Sequence, residues 1–241
     1  MGVSAAALDD LTARPYAHRG LHGPRVPENS LAAARAAMAQ GVGMECDVRL
    51  SRDGVVHVFH DAGLGRMTQR RGRLHALDAA KIATLRLKGS AERVPRLTEL
   101  LALAGGAMPL LIEIKSSRDP HIRAQLCAAV AQDLEGHAGL VAVMSFDPLV
   151  VRWFARHRPH LPRGLVVSRG KGWRLLAWWR ELWAILRARP QFIACDVGDL
   201  PGAAALPARL RLPLFCWTVR TPAEHDRAAR SRAQVIFEEQ G

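Results

Sequence analysis

The sequence lacks the features that place a protein in a membrane or outside the cell. No window of about 18 or more uninterrupted apolar residues occurs, which argues against a membrane-spanning helix. Residues 1–14 contain no positively charged start followed by an apolar run, so we expect no secretory signal. Cysteine is scarce and forms no C-x-x-C pair, which predicts buried, reduced thiols in a cytoplasmic protein. The cysteines are Cys46, Cys127, Cys195 and Cys216.

Acidic residues are few relative to basic ones. The chain has 34 Lys and Arg against 22 Asp and Glu, and its formal net charge is +12, carried almost entirely by arginine. A charge of this size attracts nucleic acid, anionic lipid or phosphorylated substrates. The arginines are scattered, however, and no basic stripe interleaved with aromatic residues occurs, so we expect no nucleic-acid partner. Two explanations of the arginine excess stay open: a compositional bias of the source genome, and a functional basic face.

Short apolar runs alternate with segments of helical spacing along the chain. Eight strands with intervening helices are typical of a closed parallel barrel, and the sequence therefore predicts an α/β (β/α)8 TIM barrel. The predicted strands are Tyr16–His18, Gly43–Val48, Pro109–Lys115, Leu140–Ser145, Gly164–Val167, Phe192–Asp196, Leu214–Thr218 and Gln234–Glu238. The predicted helices are Ser30–Gln40, Arg96–Ala104, Asp119–Leu134, Asp147–His157, Trp173–Arg187, Pro201–Ala208 and Pro222–Ser231.

One connection is too long for a simple link between a strand and a helix. Residues 51–95 contain a D-G turn at Asp53-Gly54, the run V-V-H-V-F-H-D, a basic stretch and a short helical segment. This length predicts a small insertion after strand 2, above the mouth of the barrel. No internal repeat or low-complexity tract occurs, so we interpret residues 1–241 as a single barrel domain that carries this insertion.

Two neighbouring predicted strands each carry a pair of polar residues two positions apart. Glu45 and Asp47 are in the second strand, and Glu113 and Lys115 are in the third. Residues i and i+2 of a strand point to the same face, so each pair projects together, and chemistry in such barrels gathers at the carboxyl ends of the strands. Carboxylates buried side by side require a cation. The sequence predicts that Glu45, Asp47 and Glu113 hold one divalent cation, Mg²⁺ or Ca²⁺.

Six short motifs occur in a fixed order. They are H-R-G at His18–Gly20, P-E-N-S at Pro27–Ser30, E-C-D-V at Glu45–Val48, S-R-D-G followed by H-D between Ser51 and Asp61, L-I-E-I-K at Leu111–Lys115 and W-T-V at Trp217–Val219. In this order and spacing the chain resembles the glycerophosphodiester phosphodiesterase family. The resemblance covers nearly the whole chain. It implies metal-dependent hydrolysis of a glycerophosphodiester to sn-glycerol 3-phosphate and an alcohol.

The resemblance also implies roles for individual residues. His18 and His60 are expected to be the general acid and base, because an imidazole can perform either role near neutral pH. By analogy His60 is the base toward a glycerol hydroxyl that attacks phosphorus, and His18 is the acid toward the leaving alcohol; the reverse assignment stays open. Arg19 and Lys115 are expected to bind phosphate oxygens. Trp217 is expected to contact the glycerol carbons, the alternative being a buried barrel residue.

Some features depart from the family pattern or leave alternatives open. The last strand reads A-Q-V-I-F-E where many relatives carry G-x-D-G-I-I-T-D, which leaves Glu238 at the rim without an assigned role. His22, His57 and His75 are interpreted as structural. The alternatives to the predicted reaction are a lysophospholipase D-like or sphingomyelinase D-like phosphodiesterase on the same fold, and a non-catalytic anion-binding protein.

Four of the six tryptophans fall between Trp173 and Arg187. In a helical projection the apolar residues span about half of the circumference, more than the apolar stripe of about 100° that a barrel helix buries. Trp179 and Trp183 are expected to form the surplus edge. A buried outer helix and a helix that contacts a membrane surface or a second subunit are both compatible with this pattern.

Overall fold

A computed structural model describes residues 3–168 and 182–239 and shows a closed barrel of eight parallel strands. The first strand pairs with both the second and the last, which closes the ring. An extra short strand, β3, pairs antiparallel with β2. The predicted TIM barrel is therefore confirmed. The strands are β1 (Tyr16–Ala17), β2 (Gly43–Leu50), β3 (Val56–Val58), β4 (Leu110–Ile114), β5 (Val141–Ser145), β6 (Arg163–Val167), β7 (Phe192–Asp196), β8 (Leu214–Val219) and β9 (Gln234–Phe237).

The helices follow the strands, and most begin at a residue that suits a helix N-terminus. Asp147 and Thr221 each accept a hydrogen bond from a backbone N–H of the first turn and precede a proline at the first helical position. The helices are α1 (Ala5–Thr12), α2 (Leu31–Ala39), α3 (Ala79–Ile82), α4 (Leu97–Ala104), α5 (Pro120–Asp133), α6 (Pro148–His157), α7 (helical residues 182–188), α8 (Ala205–Leu210) and α9 (Pro222–Arg230).

Side chains of the barrel strands form two apolar layers. Leu111, Met144, Phe192 and Phe215 fill the interior. On the other face, Leu110, Ile112 and Ile114 pack against the helices, as the alternation along the predicted strand indicated. The interior is therefore packed below the level of Glu113, and the open space lies above it at the carboxyl ends of the strands.

Two helical segments differ from the prediction. The predicted helices included none in residues 1–14, but α1 forms there and Leu11 packs into the barrel interior beside Tyr16. The Tyr16 hydroxyl donates to the Leu11 carbonyl at 2.9 Å, so α1 lies against the amino-terminal end of β1. The predicted helix Pro201–Ala208 is instead a short 3₁₀ turn at Gly202–Ala204 that continues into α8.

The insertion between β2 and α4 has its own small apolar cluster. Phe59, Leu64, Leu74, Ile82, Leu87 and Val94 are buried together. Its connections to the barrel include the antiparallel pairing of β3 with β2 and a backbone hydrogen bond from the Phe59 N–H to the Asp47 carbonyl at 2.8 Å. The insertion therefore meets the barrel beside the acidic pair of β2. That residues 1–241 form one domain stays a prediction.

Most of the tryptophan-rich segment, including Trp179, lies outside the described residues. In the described part, α7 buries Ile185 and Ala188 and leaves Trp183 and Leu186 exposed at 62% and 66%. The prediction that Trp183 lies at the surplus edge agrees with this exposure. Within the described residues, no helix is long and apolar enough to cross a bilayer.

Candidate active site

Three carboxylates meet at the carboxyl ends of two neighbouring strands. Asp47 of β2 lies opposite Glu113 of β4 in the parallel ladder, and Glu45 is two residues before Asp47 on the same face. One oxygen atom from each of the three side chains lies within 4.8 Å of the others. All three residues are buried. The structure therefore brings together the three residues that the sequence analysis assigned to a cation.

Lys115 lies among these acids. Its Nζ is 2.8 Å from Asp47 Oδ1 and 2.6 Å from Glu113 Oε1. Burial lowers the pKa of Lys115, but the two carboxylates outweigh burial and raise it above its ordinary value. In turn Lys115, followed by His60 and Arg19, outweighs burial and lowers the pKa of Asp47. One lysine therefore neutralises only part of the charge of this cluster.

Glu45 shows the remaining charge imbalance. Burial and then the neighbouring charges of Asp47 and Glu113 raise the pKa of Glu45 well above its ordinary value. Its Oε2 accepts the backbone N–H of Arg19 at 3.0 Å, whereas its buried Oε1 has no hydrogen-bond partner among the described residues. A buried acceptor without a partner is costly. A divalent cation held by the three carboxylates would satisfy this oxygen, so the residues fit a divalent-cation site.

The H-R-G motif forms a tight turn that supports the cluster. Arg19 and Gly20 have left-handed backbone conformations, with φ of 58° and 79°. A Cβ at Gly20 would lie 2.8 Å from the Ala33 Cβ, so both the φ angle and the close approach favour glycine. The turn directs the Arg19 N–H to Glu45. The Arg19 side chain places Nε 3.3 Å from Asp47 Oδ2 and donates from Nη1 to Glu28 Oε1 at 2.9 Å.

His18 follows β1 and is held by the last strand. Its Nδ1 is 2.5 Å from Glu238 Oε1, and its Nε2 is 3.9 Å from Glu45 Oε2. The other Glu238 oxygen accepts from Arg220 Nε at 2.7 Å. The hydrogen bond from His18 is the largest cause that lowers the pKa of Glu238 to about 2, so this residue is a carboxylate at neutral pH. His22 Nε2 also approaches Glu238 Oε1, at 3.7 Å.

His60 is held by the insertion. Its Nδ1 is 2.7 Å from Asp61 Oδ1, and Asp61 Oδ2 accepts from Arg66 Nε at 2.5 Å. The hydrogen bonds from Arg66 and His60 outweigh burial and lower the pKa of Asp61 to about 2. Arg66 donates from Nη1 and Nη2 to the two Glu28 oxygens, at 2.7 Å each. Burial lowers the pKa of His60 below its ordinary value.

The two histidines, Arg19 and Lys115 line one cavity of about 490 Å³ at the mouth of the barrel. Trp217 is half-buried there and packs edge to face on Phe146, with ring centroids 5.7 Å apart. Each of the two interpretations of Trp217 is therefore compatible with its position, because the ring packs on the barrel interior and also faces the cavity. His57 is buried on β3 and does not line this cavity, in agreement with its structural interpretation.

No sequence pattern gave a role to the residues that support the site. Asn29, within the P-E-N-S motif, donates from Nδ2 to Asp47 Oδ2 at 2.9 Å and accepts the Asp47 N–H at 3.2 Å. The next residue of the motif, Ser30, caps α2. Asp61 and Glu28 were within the H-D and P-E-N-S motifs, so the motifs themselves were the available signal. Arg66 had no signal beyond a basic stretch.

Comparisons with known proteins agree with this geometry. A model of the glycerophosphoryl diester phosphodiesterase family matches residues 18–238. A glycerophosphodiester phosphodiesterase from Caldanaerobacter subterraneus is 34% identical over 164 residues, which are 64% of this chain and 66% of that protein. The match thus spans slightly less than two thirds of that relative's length.

Solved structures share the fold. A phosphodiesterase from Oleispira antarctica, solved in complex with the product sn-glycerol 3-phosphate, superposes with a TM-score of 0.82 at 22% identity and covers 95% of this chain and 94% of that chain. At this identity the likeness shows the fold alone. A glycerophosphodiester phosphodiesterase from Agrobacterium tumefaciens has a TM-score of 0.65 at 25% identity and covers 93% of this chain and 94% of that chain.

Proposed function

Because the chain belongs to the glycerophosphoryl diester phosphodiesterase family, we propose that it hydrolyses glycerophosphodiesters to sn-glycerol 3-phosphate and an alcohol. One observation carries the proposal: the acid cluster, two cationic side chains and two imidazoles converge on one cavity. A phosphodiester is anionic and requires neutralising groups together with a proton donor and a proton acceptor. The similarity to the glycerophosphodiester phosphodiesterase of Caldanaerobacter subterraneus, 34% identical over 164 residues, supports the proposed reaction.

Glu45, Asp47 and Glu113 are the residues proposed to hold one divalent cation, Mg²⁺ or Ca²⁺. When bound, the cation supplies positive charge that polarises a phosphoryl oxygen and lowers the pKa of a coordinated hydroxyl. All three ligands come from adjacent barrel strands rather than from loops. Oxygen-only donor sets favour these hard cations over Zn²⁺, which prefers nitrogen and sulfur donors.

Arg19 and Lys115 are proposed to bind the remaining phosphate oxygens. In the structure the side chains of Arg19 and Lys115 both contact carboxylates of the acid cluster. If the three carboxylates held a cation, Lys115 would no longer be needed to neutralise Asp47 and Glu113 and would be available to the substrate. Arg19 presents a planar fork of donors, and Lys115 a compact charge, so we expect Arg19 to orient the phosphate and Lys115 to stabilise its charge.

His60 is proposed to accept the proton of the substrate's glycerol hydroxyl, which attacks phosphorus, and His18 to protonate the leaving alcohol. This step leaves a cyclic phosphate, which water then opens to glycerol 3-phosphate. Each imidazole has its Nδ1 beside a carboxylate, Asp61 for His60 and Glu238 for His18. An ionised carboxylate only accepts hydrogen bonds, so Nδ1 carries the proton in both rings and Nε2 is the atom that exchanges protons. Trp217 is proposed to contact the glycerol carbons.

The test is the release of glycerol 3-phosphate from glycerophosphocholine and glycerophosphoethanolamine, with and without a chelator. We expect release that stops on chelation and returns when Mg²⁺ or Ca²⁺ is added. Glu45→Ala is expected to abolish release, whereas Glu99→Ala, which alters a carboxylate at the start of α4 outside the cavity, is the matched control. Activity that survives both the chelator and Glu45→Ala rejects the cation assignment.

A second candidate function is hydrolysis of lysophospholipid or sphingolipid on the same scaffold. Phe146, at the cavity mouth, is 44% exposed and offers an apolar surface that an acyl chain would cover. Rates on glycerophosphocholine and on lysophosphatidylcholine of increasing chain length separate the two. Faster turnover of the long-chain substrate would favour this second function.

The matched acid and base disfavour a non-catalytic anion binder, because binding alone needs no proton transfer.

A groove on the outside of the barrel supports a proposed contact with an anionic membrane surface. It lies between α6 and α7, has a volume of about 810 Å³, and includes the exposed Trp183 and Leu186. Of the residues that the structure describes, none that lines it is acidic. Its basic and aromatic side chains are Arg152, Arg156, Arg187, Trp153 and His157.

Vesicle flotation tests this contact. We expect binding to phosphatidylglycerol vesicles at low salt, little binding to phosphatidylcholine vesicles, and a loss of binding in Trp183→Ala. A concentration-dependent dimer in sedimentation, with no flotation, would favour a second subunit instead.

We also propose a cytoplasmic location, which the burial of all four cysteines supports.

A further inference from the structure

The carboxylate that holds His18 is a feature for which the family motifs give no role. The last strand of the chain reads A-Q-V-I-F-E, and its acid, Glu238, lies directly after β9. β1 and β9 are neighbours in the barrel, and the His18 N–H donates to the Phe237 carbonyl at 2.8 Å. The Glu238 N–H donates to the Val219 carbonyl at 3.0 Å. Barrel closure therefore fixes the backbones of His18 and Glu238 side by side.

The Glu238 side chain has a defined orientation. One oxygen is 2.5 Å from His18 Nδ1, and the other accepts from Arg220 Nε at 2.7 Å. Arg220 is itself positioned next to α9, where its backbone N–H donates to Glu224 at 2.8 Å. The carboxylate is thus held at both oxygens, and its exposed fraction is only 19%. A side chain restrained in this way can in turn restrain the imidazole that it contacts.

We propose that Glu238, anchored by Arg220, is a positioning residue that fixes the ring orientation and tautomer of His18. The inference rests on the proposed function, in which His18 exchanges a proton with the substrate through Nε2. With Nδ1–H directed at Glu238, Nε2 faces the cavity and Glu45. Without the carboxylate, the ring can rotate or present the other nitrogen, and only a fraction of the molecules holds a productive arrangement.

Substitution of Glu238 tests this inference in the full-length protein loaded with cation. Glu238→Ala is expected to lower kcat on glycerophosphocholine about 100-fold, within the range that a positioned proton-transfer group contributes, and to leave KM nearly unchanged. Glu238→Gln keeps an acceptor for Nδ1–H, and its kcat is expected to fall less than that of Glu238→Ala. Glu239→Gln, at the exposed next position, is the matched control and is expected to behave as wild type.

A double substitution separates positioning from a general structural role. If Glu238 acts through His18, then Glu238→Ala has no further effect once His18→Ala is present, because the imidazole that it positions is gone. The residual rates are measured as glycerol 3-phosphate accumulation over long incubations. Melting temperatures of all variants, with and without cation, verify that each is folded and still binds the cation.

The outcomes are distinct. An equal loss from Glu238→Ala in the wild-type and His18→Ala backgrounds overturns the inference, as does a full-rate Glu238→Ala enzyme. A rise in KM with unchanged kcat overturns it as well, because that result assigns Glu238 to substrate binding. If the wild-type protein releases no glycerol 3-phosphate from any diester, the proposed function fails first, and that failure is seen without any variant.

Discussion

The two sides of the cavity hold their histidines by the same device but attach it to different parts of the molecule. On one side, His18 contacts Glu238, which contacts Arg220. On the other side, His60 contacts Asp61, which contacts Arg66. The first arrangement is built on β1, β8 and β9 of the barrel. The second is built on the loop that follows β3 in the insertion.

Because the two histidines are attached to different parts of the molecule, substitutions on the two sides of the cavity are expected to have different effects. The barrel side is fixed by the backbone ladder that closes the ring, and its Arg220 guanidinium pairs with Glu238. On the insertion side, Arg66 also binds Glu28, and Glu28 binds Arg19. A change in the insertion therefore reaches both a proposed proton-transfer residue and a proposed phosphate-binding residue. A change near Arg220 reaches His18 through Glu238 but neither Arg19 nor Lys115 through these contacts.

The largest expected effect separates the two histidines by their roles. His18→Ala and His60→Ala are each expected to lower kcat on glycerophosphocholine by about 10²- to 10⁴-fold. On a p-nitrophenyl ester of glycerol phosphate, whose leaving group needs no proton, His18→Ala is expected to recover most of its rate while His60→Ala is not. Steady-state kinetics on both substrates measure this. The opposite pattern would exchange the two roles, and an equal penalty on both substrates would remove His18 from leaving-group protonation.

A smaller effect is expected from the two arginines. Arg66→Ala and Arg220→Ala each remove a half-exposed ion pair, and we expect roughly a fivefold fall in kcat for each. Only Arg66→Ala is expected to raise KM as well, because it loosens Glu28 and through it Arg19. Arg71→Ala, an exposed arginine of the same insertion, is the control. If the two variants had equal KM values, the expected difference between the barrel side and the insertion side of the cavity would be wrong.

The sequence was sufficient for the barrel and for the position of the three carboxylates within it. Glu45, Asp47 and Glu113 could be placed together because the period of two along a strand and the shared edge of parallel strands are local rules. Their roles in catalysis remain proposals.

The supporting contacts could not be derived in the same way. The pairing of His18 with Glu238 joins residues 220 positions apart and depends on how the last strand closes onto the first. Arg66 reaches Asp61 and Glu28 only because the insertion folds over the mouth, and its own apolar cluster sets that path. α1 was missed because its burial depends on Leu11 reaching the barrel interior, which no local pattern shows.

The smallest expected effect concerns stability at acid pH. The folded-state pKa of Glu238 is lowered from 4.5 to about 2, and that of Asp61 from 3.8 to about 2. A carboxylate with a lowered pKa stabilises the fold fully above its ordinary value, and this contribution is lost as the pH falls through the folded-state value. Melting temperatures of cation-free protein should therefore fall less steeply with acid in Glu238→Gln than in wild type. Asp61→Asn should show the same change over a narrower range, and parallel curves for all three proteins would contradict this account.

Calorimetric titration of Mg²⁺ or Ca²⁺ into chelator-treated protein tests most directly whether the three carboxylates hold one cation. We expect one site per chain in the wild type and none in Glu45→Gln, while Glu238→Gln retains the site. Glu45→Gln should also melt at a higher temperature than wild type without cation, because the neutral amide relieves repulsion from Asp47 and Glu113. Binding to Glu45→Gln with wild-type affinity and stoichiometry would contradict the central claim.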